Sequence, residues 1–180
     1  MKLDLEKYYF HSTRGIEMIN NNEMCLKRLE SILKSEYILS RKLQKEILNI
    51  ENKKNFSNWN GEDYISVCKY NYNDFGIFGD AYTTLCYASG VTIVLDKNML
   101  NHSIVRKDGK KMLNEIQIKD KISINFIKAI GFHYYDCDID NVLVQKIREL
   151  LDIYNIDVPI IDIKNGMIIE KNAKRLTIKK

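Results

Sequence analysis

Proline, long apolar runs and metal-type cysteine motifs are scarce in this chain of 180 residues, and each absence excludes a class of protein. A single proline together with 45% hydrophobic residues argues against a disordered chain. No stretch reaches the roughly 18 consecutive apolar residues that a membrane-spanning helix needs. The first residues, MKLDLEKYYFHS, place charges where a secretory signal has an apolar block. We therefore expect a cytoplasmic protein without a cleaved leader and without a membrane partner.

The cysteines and the net charge exclude few classes of function. The four cysteines have neither CxxC nor Cys/His ligand spacing, so we expect reduced, small core residues and no metal site. They are Cys25, Cys68, Cys86 and Cys137. A formal charge of +4, from 28 basic and 24 acidic residues, is compatible with a nucleic-acid or acidic-protein partner and selects neither.

The order of apolar patterns predicts one domain over residues 1–180, because no repeat, linker or change of composition divides the chain. Short β-branched, aromatic or alternating segments predict strands at 7–11, 63–68, 90–96, 114–118 and 126–132. Apolar residues at helical spacing predict helices over 23–36, from Ser40 to about residue 50, and from Asn141 to about Tyr154. Asn165-Gly166 predicts a type I′ hairpin between the last two apolar segments.

Polar residues interrupt three of the predicted strands or their ends: FHST at 10–13, DYISVC at 63–68 and LNEIQI at 113–118. Taken in order, they present His11, Tyr64 and Glu115. This set resembles the His-Tyr-Glu pattern of the ADP-ribosyltransferase superfamily, in its diphtheria-toxin and poly(ADP-ribose) polymerase branch.

The resemblance covers roughly residues 8–132 and carries expectations about the fold. It implies an α+β domain with a split, bent mixed β-sheet and flanking helices, in which residues of about 7–133 form the transferase-like core. Residues 136–180, predicted as a helix and a hairpin, match no part of the pattern.

The resemblance also implies NAD+ as a substrate and assigns roles to residues. Glu115 would stabilise the oxocarbenium-like ribose when the nicotinamide leaves. His11 would bind the adenosine-side ribose, and the backbone at Ser12 and Thr13 would hold the nicotinamide amide. Tyr64 would stack on the nicotinamide, with Tyr82 as the reserve.

Two arginines near predicted helix starts, Arg14 and Arg41, are candidates for contact with the NAD+ pyrophosphate. Arginine-modifying relatives carry Glu or Gln where this chain has Leu113, which disfavours an arginine acceptor. The expected activity is mono-ADP-ribosylation of a protein or nucleic acid, by an intracellular toxin, phage product or counter-defence factor. The oligomeric state is left open.

Simpler interpretations stand beside these. A strand histidine among aromatics is more often a core residue, and Glu115 has the position of an ordinary exposed residue at a strand start. The basic segment RKDGKK, residues 106–111, is predicted to be a solvated loop. The alternatives are therefore a non-catalytic module that binds nucleic acid or protein through RKDGKK and the aromatic residues of 69–87, or an NAD+ glycohydrolase.

Overall fold

The computed structural model describes residues 1–13, 22–49, 63–69, 90–102, 104–107, 115–133, 141–163 and 165–170. Within them lie three α-helices: α1 (Asn22–Ser35), α2 (Arg41–Leu48) and α3 (Asn141–Ile153). The strands, in chain order, are β1 (Tyr8–Ser12), β2 (Tyr37–Leu39), β3 (Tyr64–Lys69), β4 (Gly90–Asp96), β5 (Ile104–Lys107), β6 (Glu115–Lys119), β7 (Lys121–Ser123), β8 (Ile127–His133), β9 (Ile160–Asp162) and β10 (Ile168–Glu170).

Eight strands form one sheet in the order β10-β9-β8-β4-β1-β3-β6-β5, and β2 pairs with β7 in a separate sheet. The neighbours in the large sheet are antiparallel except β8 and β9, which are parallel and connected through α3. The predicted α+β class with a mixed sheet and flanking helices is therefore confirmed. Both strands after α3 extend the same sheet.

The alternation of side chains along the strands divides the buried residues between the two faces of the large sheet. The main core lies on the face covered by α1 and α3 and includes Ile93 of β4 and Leu29 of α1, both with no exposed surface. A second, smaller cluster contains Val94, the next residue of β4. Its other buried members are Leu5, Phe10, Ala129, Ile161 and Ile163.

The helices begin close to where the sequence places them. Ser40 caps α2, since its Oγ accepts a hydrogen bond from the Leu43 N–H at 3.4 Å. Ile47 of α2 is 61% exposed, and the predicted continuation of the helix to residue 50 lies outside the described residues. In α3, the apolar residues at helical spacing face the main core: Leu143, Ile147 and Leu151 are buried, and Leu150 is partly buried, as is Tyr154 just after the helix.

Three short strands escape prediction because they offer too few residues for a periodic pattern: β2, β5 and β7. The loop predicted for RKDGKK is wrong for Arg106 and Lys107, whose backbone pairs with β6 at the edge of the sheet. The remaining residues of that segment, 108–111, lie outside the described ones.

The predicted hairpin is present between β9 and β10, but its turn is not type I′. The Asp162 N–H donates to the Met167 carbonyl at 2.9 Å, so four residues (163–166) lie between the paired residues, whereas a type I′ hairpin turn has two. The Asn165 carboxamide oxygen accepts a hydrogen bond from the Met167 N–H at 2.8 Å. None of the described helices is long and apolar enough to cross a membrane.

Candidate active site

The three strands that carry the His11, Tyr64 and Glu115 motifs are immediate neighbours in the sheet. β3 lies between β1 and β6 and pairs antiparallel with both. The fold therefore brings together segments that are separated by about fifty residues in sequence.

The register of these strands fixes the spacing of the three residues. Glu115, the first residue of β6, is aligned with Cys68, which is aligned with Phe10, the residue before His11. Two strand spacings, about 10 Å, separate the backbones of Glu115 and Phe10. Phe10 packs in the second cluster, whereas Ile93, the β4 residue aligned with His11, packs in the main core.

Tyr64 is the first residue of β3, four residues before Cys68, which is aligned with Glu115. It is aligned with Lys119, the last residue of β6, so its backbone is about 13 Å along the strand direction from the row of Glu115. The half-buried Tyr64 ring is thus not brought next to Glu115 by strand pairing.

His11 is held in one tautomer by its neighbour strand. Its Nδ1 lies 2.9 Å from the Ser66 carbonyl oxygen of β3. A carbonyl oxygen only accepts hydrogen bonds, so Nδ1 carries the proton and donates. In the neutral ring, Nε2 is then left with a lone pair that can accept a hydrogen bond from a hydroxyl group.

Two effects lower the pKa of His11 below its ordinary value of 6.5. The larger is burial, which disfavours the charged imidazolium, and the positive charge of Arg28 adds to it. The hydrogen bond to the Ser66 carbonyl acts in the opposite direction and does not reverse the shift. His11 is therefore neutral at physiological pH.

The residues after His11 have different surroundings. Thr13 is 2% exposed, and both its N–H and its hydroxyl donate to the Val91 carbonyl of β4, at 3.0 and 2.6 Å. Its hydroxyl is therefore committed to the fold rather than to a ligand. Ser12, the last residue of β1, is half-buried and aligned with Thr92 of β4.

Arg28 of α1 is a site residue that sequence reasoning missed. Its Nη1 donates to the Thr13 carbonyl oxygen at 2.7 Å, and its charge acts on His11. The helical pattern marks Arg28 only as a polar position of an amphipathic helix. No local motif relates it to residues 11–13, so its role depends on tertiary packing.

The other predicted ligand residues are spread more widely. Arg41 is exposed at the first position of α2, next to Lys42, whose Nζ lies 3.4 Å from the Asp63 carboxylate just before β3. Arg41 thus lies at the Tyr64 end of β3. Arg14 and Tyr82 lie outside the described residues. Among the residues that are described, no group of three or more histidine, cysteine or acidic side chains is arranged to hold a metal.

The comparisons with known proteins find a likeness to solved structures. No protein-family model matches the sequence, and no curated protein matches it. The solved structure of Thermus sp. 2.9 DarT in complex with NAD+ is similar to this chain with a TM-score of 0.43 and 9% identity, over 86% of this chain and 92% of that one.

Proposed function

We propose that this protein transfers ADP-ribose from NAD+ to a macromolecular acceptor. The observation that carries the proposal is the placement of the three motif-bearing strands side by side as β1, β3 and β6, with the His11 ring fixed against β3. The resemblance of the sequence to the His-Tyr-Glu pattern supplies the reaction.

The reaction requires stabilisation of positive charge more than acid catalysis. The nicotinamide ring of NAD+ is positively charged while it is bonded to ribose, and it leaves as neutral nicotinamide. The positive charge therefore develops on the sugar. A carboxylate at Glu115 stabilises that charge and orients a ribose hydroxyl. The bond from the anomeric carbon to nicotinamide breaks, the bond to the acceptor's nucleophilic atom forms, and the acceptor loses a proton.

The His11 geometry suits the sugar-binding role. Its Nδ1–H is occupied by Ser66, and Nε2 is an acceptor for a ribose hydroxyl. The backbone of Glu115 is in register with Phe10, which packs on one face of the sheet, and His11 is in register with Ile93, which packs on the other. In this proposal, a ligand that contacts both residues therefore has to pass around the end of β6, where that strand begins at Glu115. A dinucleotide with two riboses and a pyrophosphate is long enough for that path.

The remaining contacts with NAD+ are proposed from the roles that the family resemblance implies. In this proposal, the backbone at Ser12 holds the nicotinamide amide, because the Thr13 N–H and carbonyl are already bonded to Val91 and Arg28. Tyr82 stacks on the ring and Arg14 meets the pyrophosphate. Tyr64 and Arg41 are the less favoured candidates for these two roles, because they lie at the other end of β3 from the residue aligned with Glu115. The biological setting proposed is a toxin or counter-defence factor that acts in the cytoplasm of the producing or host cell, with a protein or nucleic acid as acceptor.

The test is incubation of a lysate with NAD+ labelled in the adenylate part, comparing wild type with Glu115→Gln. We expect the variant to label macromolecules at least about 100-fold less than wild type, because the neutral amide cannot stabilise the developing positive charge. Glu149→Gln, at an exposed position of α3, is the matched control and should label as wild type does. Release of the label by nuclease or by protease identifies the acceptor class.

Other outcomes distinguish the alternatives. Free ADP-ribose without a labelled macromolecule indicates an NAD+ glycohydrolase. Salt-sensitive binding of nucleic acid or protein that survives Glu115→Gln, and weakens when Lys107, Lys110 and Lys111 are neutralised, indicates a non-catalytic module. Wild-type protein that neither binds NAD+ nor labels any acceptor contradicts the proposal.

A further inference from the structure

The end of β1 is held from two sides by hydrogen bonds that converge on Thr13. From β4, the Val91 carbonyl accepts from the Thr13 N–H and hydroxyl. From α1, Arg28 donates to the Thr13 carbonyl at 2.7 Å. Arg28 therefore fixes the helix to the strand end across fifteen residues of sequence.

The same guanidinium lies close to the functional candidate on β1. His11 precedes Thr13 by two residues, and alternate residues of a strand lie on one face, here the face covered by α1. On the adjacent strands, Val67 and Ile93 are uncharged and buried. Among the described residues, Arg28 is the charged group whose field acts on His11.

We propose that Arg28 is a positioning residue for the candidate active site, which acts through the Thr13 carbonyl and through its own charge on His11. The planar guanidinium suits both tasks, because it remains charged at all relevant pH values and donates in a fixed geometry. With Arg28 in place, the His11 ring stays neutral, with Nδ1 bonded to Ser66 and Nε2 as a hydrogen-bond acceptor. The consequence for NAD+ rests on the proposed function; the effect on His11 does not.

The experiment compares Arg28→Met, which loses both charge and donor, with Arg28→Gln, which loses the charge but keeps an amide donor for Thr13. Lys27→Met is the matched control, since Lys27 is the adjacent residue of α1, is exposed and pairs with Glu23 at 2.8 Å instead. The His11 imidazole is titrated by NMR in each full-length protein. NAD+ binding is measured by calorimetry at several pH values, and thermal melting reports folding.

We expect the pKa of His11 to rise in both Arg28 variants, because the neighbouring positive charge is removed, and to stay unchanged in Lys27→Met. NAD+ binding to Arg28→Met at pH 7 should be about tenfold weaker, as for the loss of one charge-assisted hydrogen bond, with a smaller loss in Arg28→Gln. The weakening should grow as the pH falls, because more of the His11 ring is then protonated.

An identical His11 titration in wild type, Arg28→Gln and Lys27→Met overturns the inference, even if Arg28→Met fails to fold. Wild-type protein that binds no NAD+ contradicts the proposed function, and the titration then decides the role of Arg28 by itself.

Discussion

At the scale of single residues, the surroundings of His11 fix the tautomer of its ring and disfavour the charged imidazolium form. The Ser66 carbonyl selects the Nδ1–H form, and burial with Arg28 lowers the pKa. Neither property is visible in the stretch YYFHST, where a histidine among aromatics indicates no more than a partly buried residue. The sequence could predict that His11 is placed on a strand, but not its partner, which lies 55 residues away.

The lowered pKa of His11 makes a pH-dependent contribution to stability. The unfolded chain, with an ordinary value of 6.5, binds more protons near this pH than the folded one, so the free energy of unfolding decreases as pH falls below about 6.5. Urea denaturation between pH 7.5 and pH 5 should show this decrease in wild type. It should be smaller in His11→Asn, whose amide keeps a donor for the Ser66 carbonyl and does not titrate. Equal pH dependence in both proteins would contradict the assignment.

At the scale of elements, long periodic segments were predictable and short or distant ones were not. The strand at Gly90–Asp96 and the buried stripe of α3 follow from alternation and helical spacing. The pairing of β1 with both β3 and β4 does not, because register depends on tertiary contacts. The same limit applies to the candidate site: its strands could be predicted, but the contact between Arg28 and Thr13 could not.

The β9–β10 hairpin depends on one glycine. Gly166 has φ +75°, and a Cβ there would lie 2.3 Å from the Leu3 carbonyl oxygen, which is backbone and cannot move aside cheaply. Gly166→Ala should therefore lower the free energy of unfolding by at least about 2 kcal/mol, measured by urea denaturation. Asn155→Gly is the control, because Asn155 is an exposed residue that already has φ 56°. It should change stability by no more than about 0.5 kcal/mol. Equal effects of the two changes would refute the steric argument.

At the scale of the whole molecule, the second cluster connects the N-terminal residues, the centre of the sheet and the C-terminal hairpin. Phe10 has no exposed surface and is the largest side chain of that cluster. Leu5, Val94 and Ile161 belong to the same cluster, so it joins residues from the N-terminal segment, from β4 and from β9. The N-terminal backbone adds to this connection, since the Leu3 N–H donates to the Gly166 carbonyl at 2.8 Å.

Removal of the Phe10 ring should weaken the described fold as a unit. We expect Phe10→Ala to lower the free energy of unfolding by about 3–5 kcal/mol, because it deletes buried contacts and leaves a cavity, and Phe10→Leu to cost about 1.5 kcal/mol. Far-UV and near-UV circular dichroism in urea should give coincident transitions for both variants. Two separated transitions would show that the hairpin and the rest of the sheet unfold independently.

The strand order also has a consequence for synthesis on the ribosome. β1 is synthesised before β4, yet Thr13 binds Val91, which follows 78 residues later. Until the segment of β4 has emerged, the tyrosines and Phe10 of β1 lack their partner on that side and remain open to other hydrophobic surfaces. We therefore expect the nascent chain to expose apolar side chains of β1 until β4 is available to pair with it.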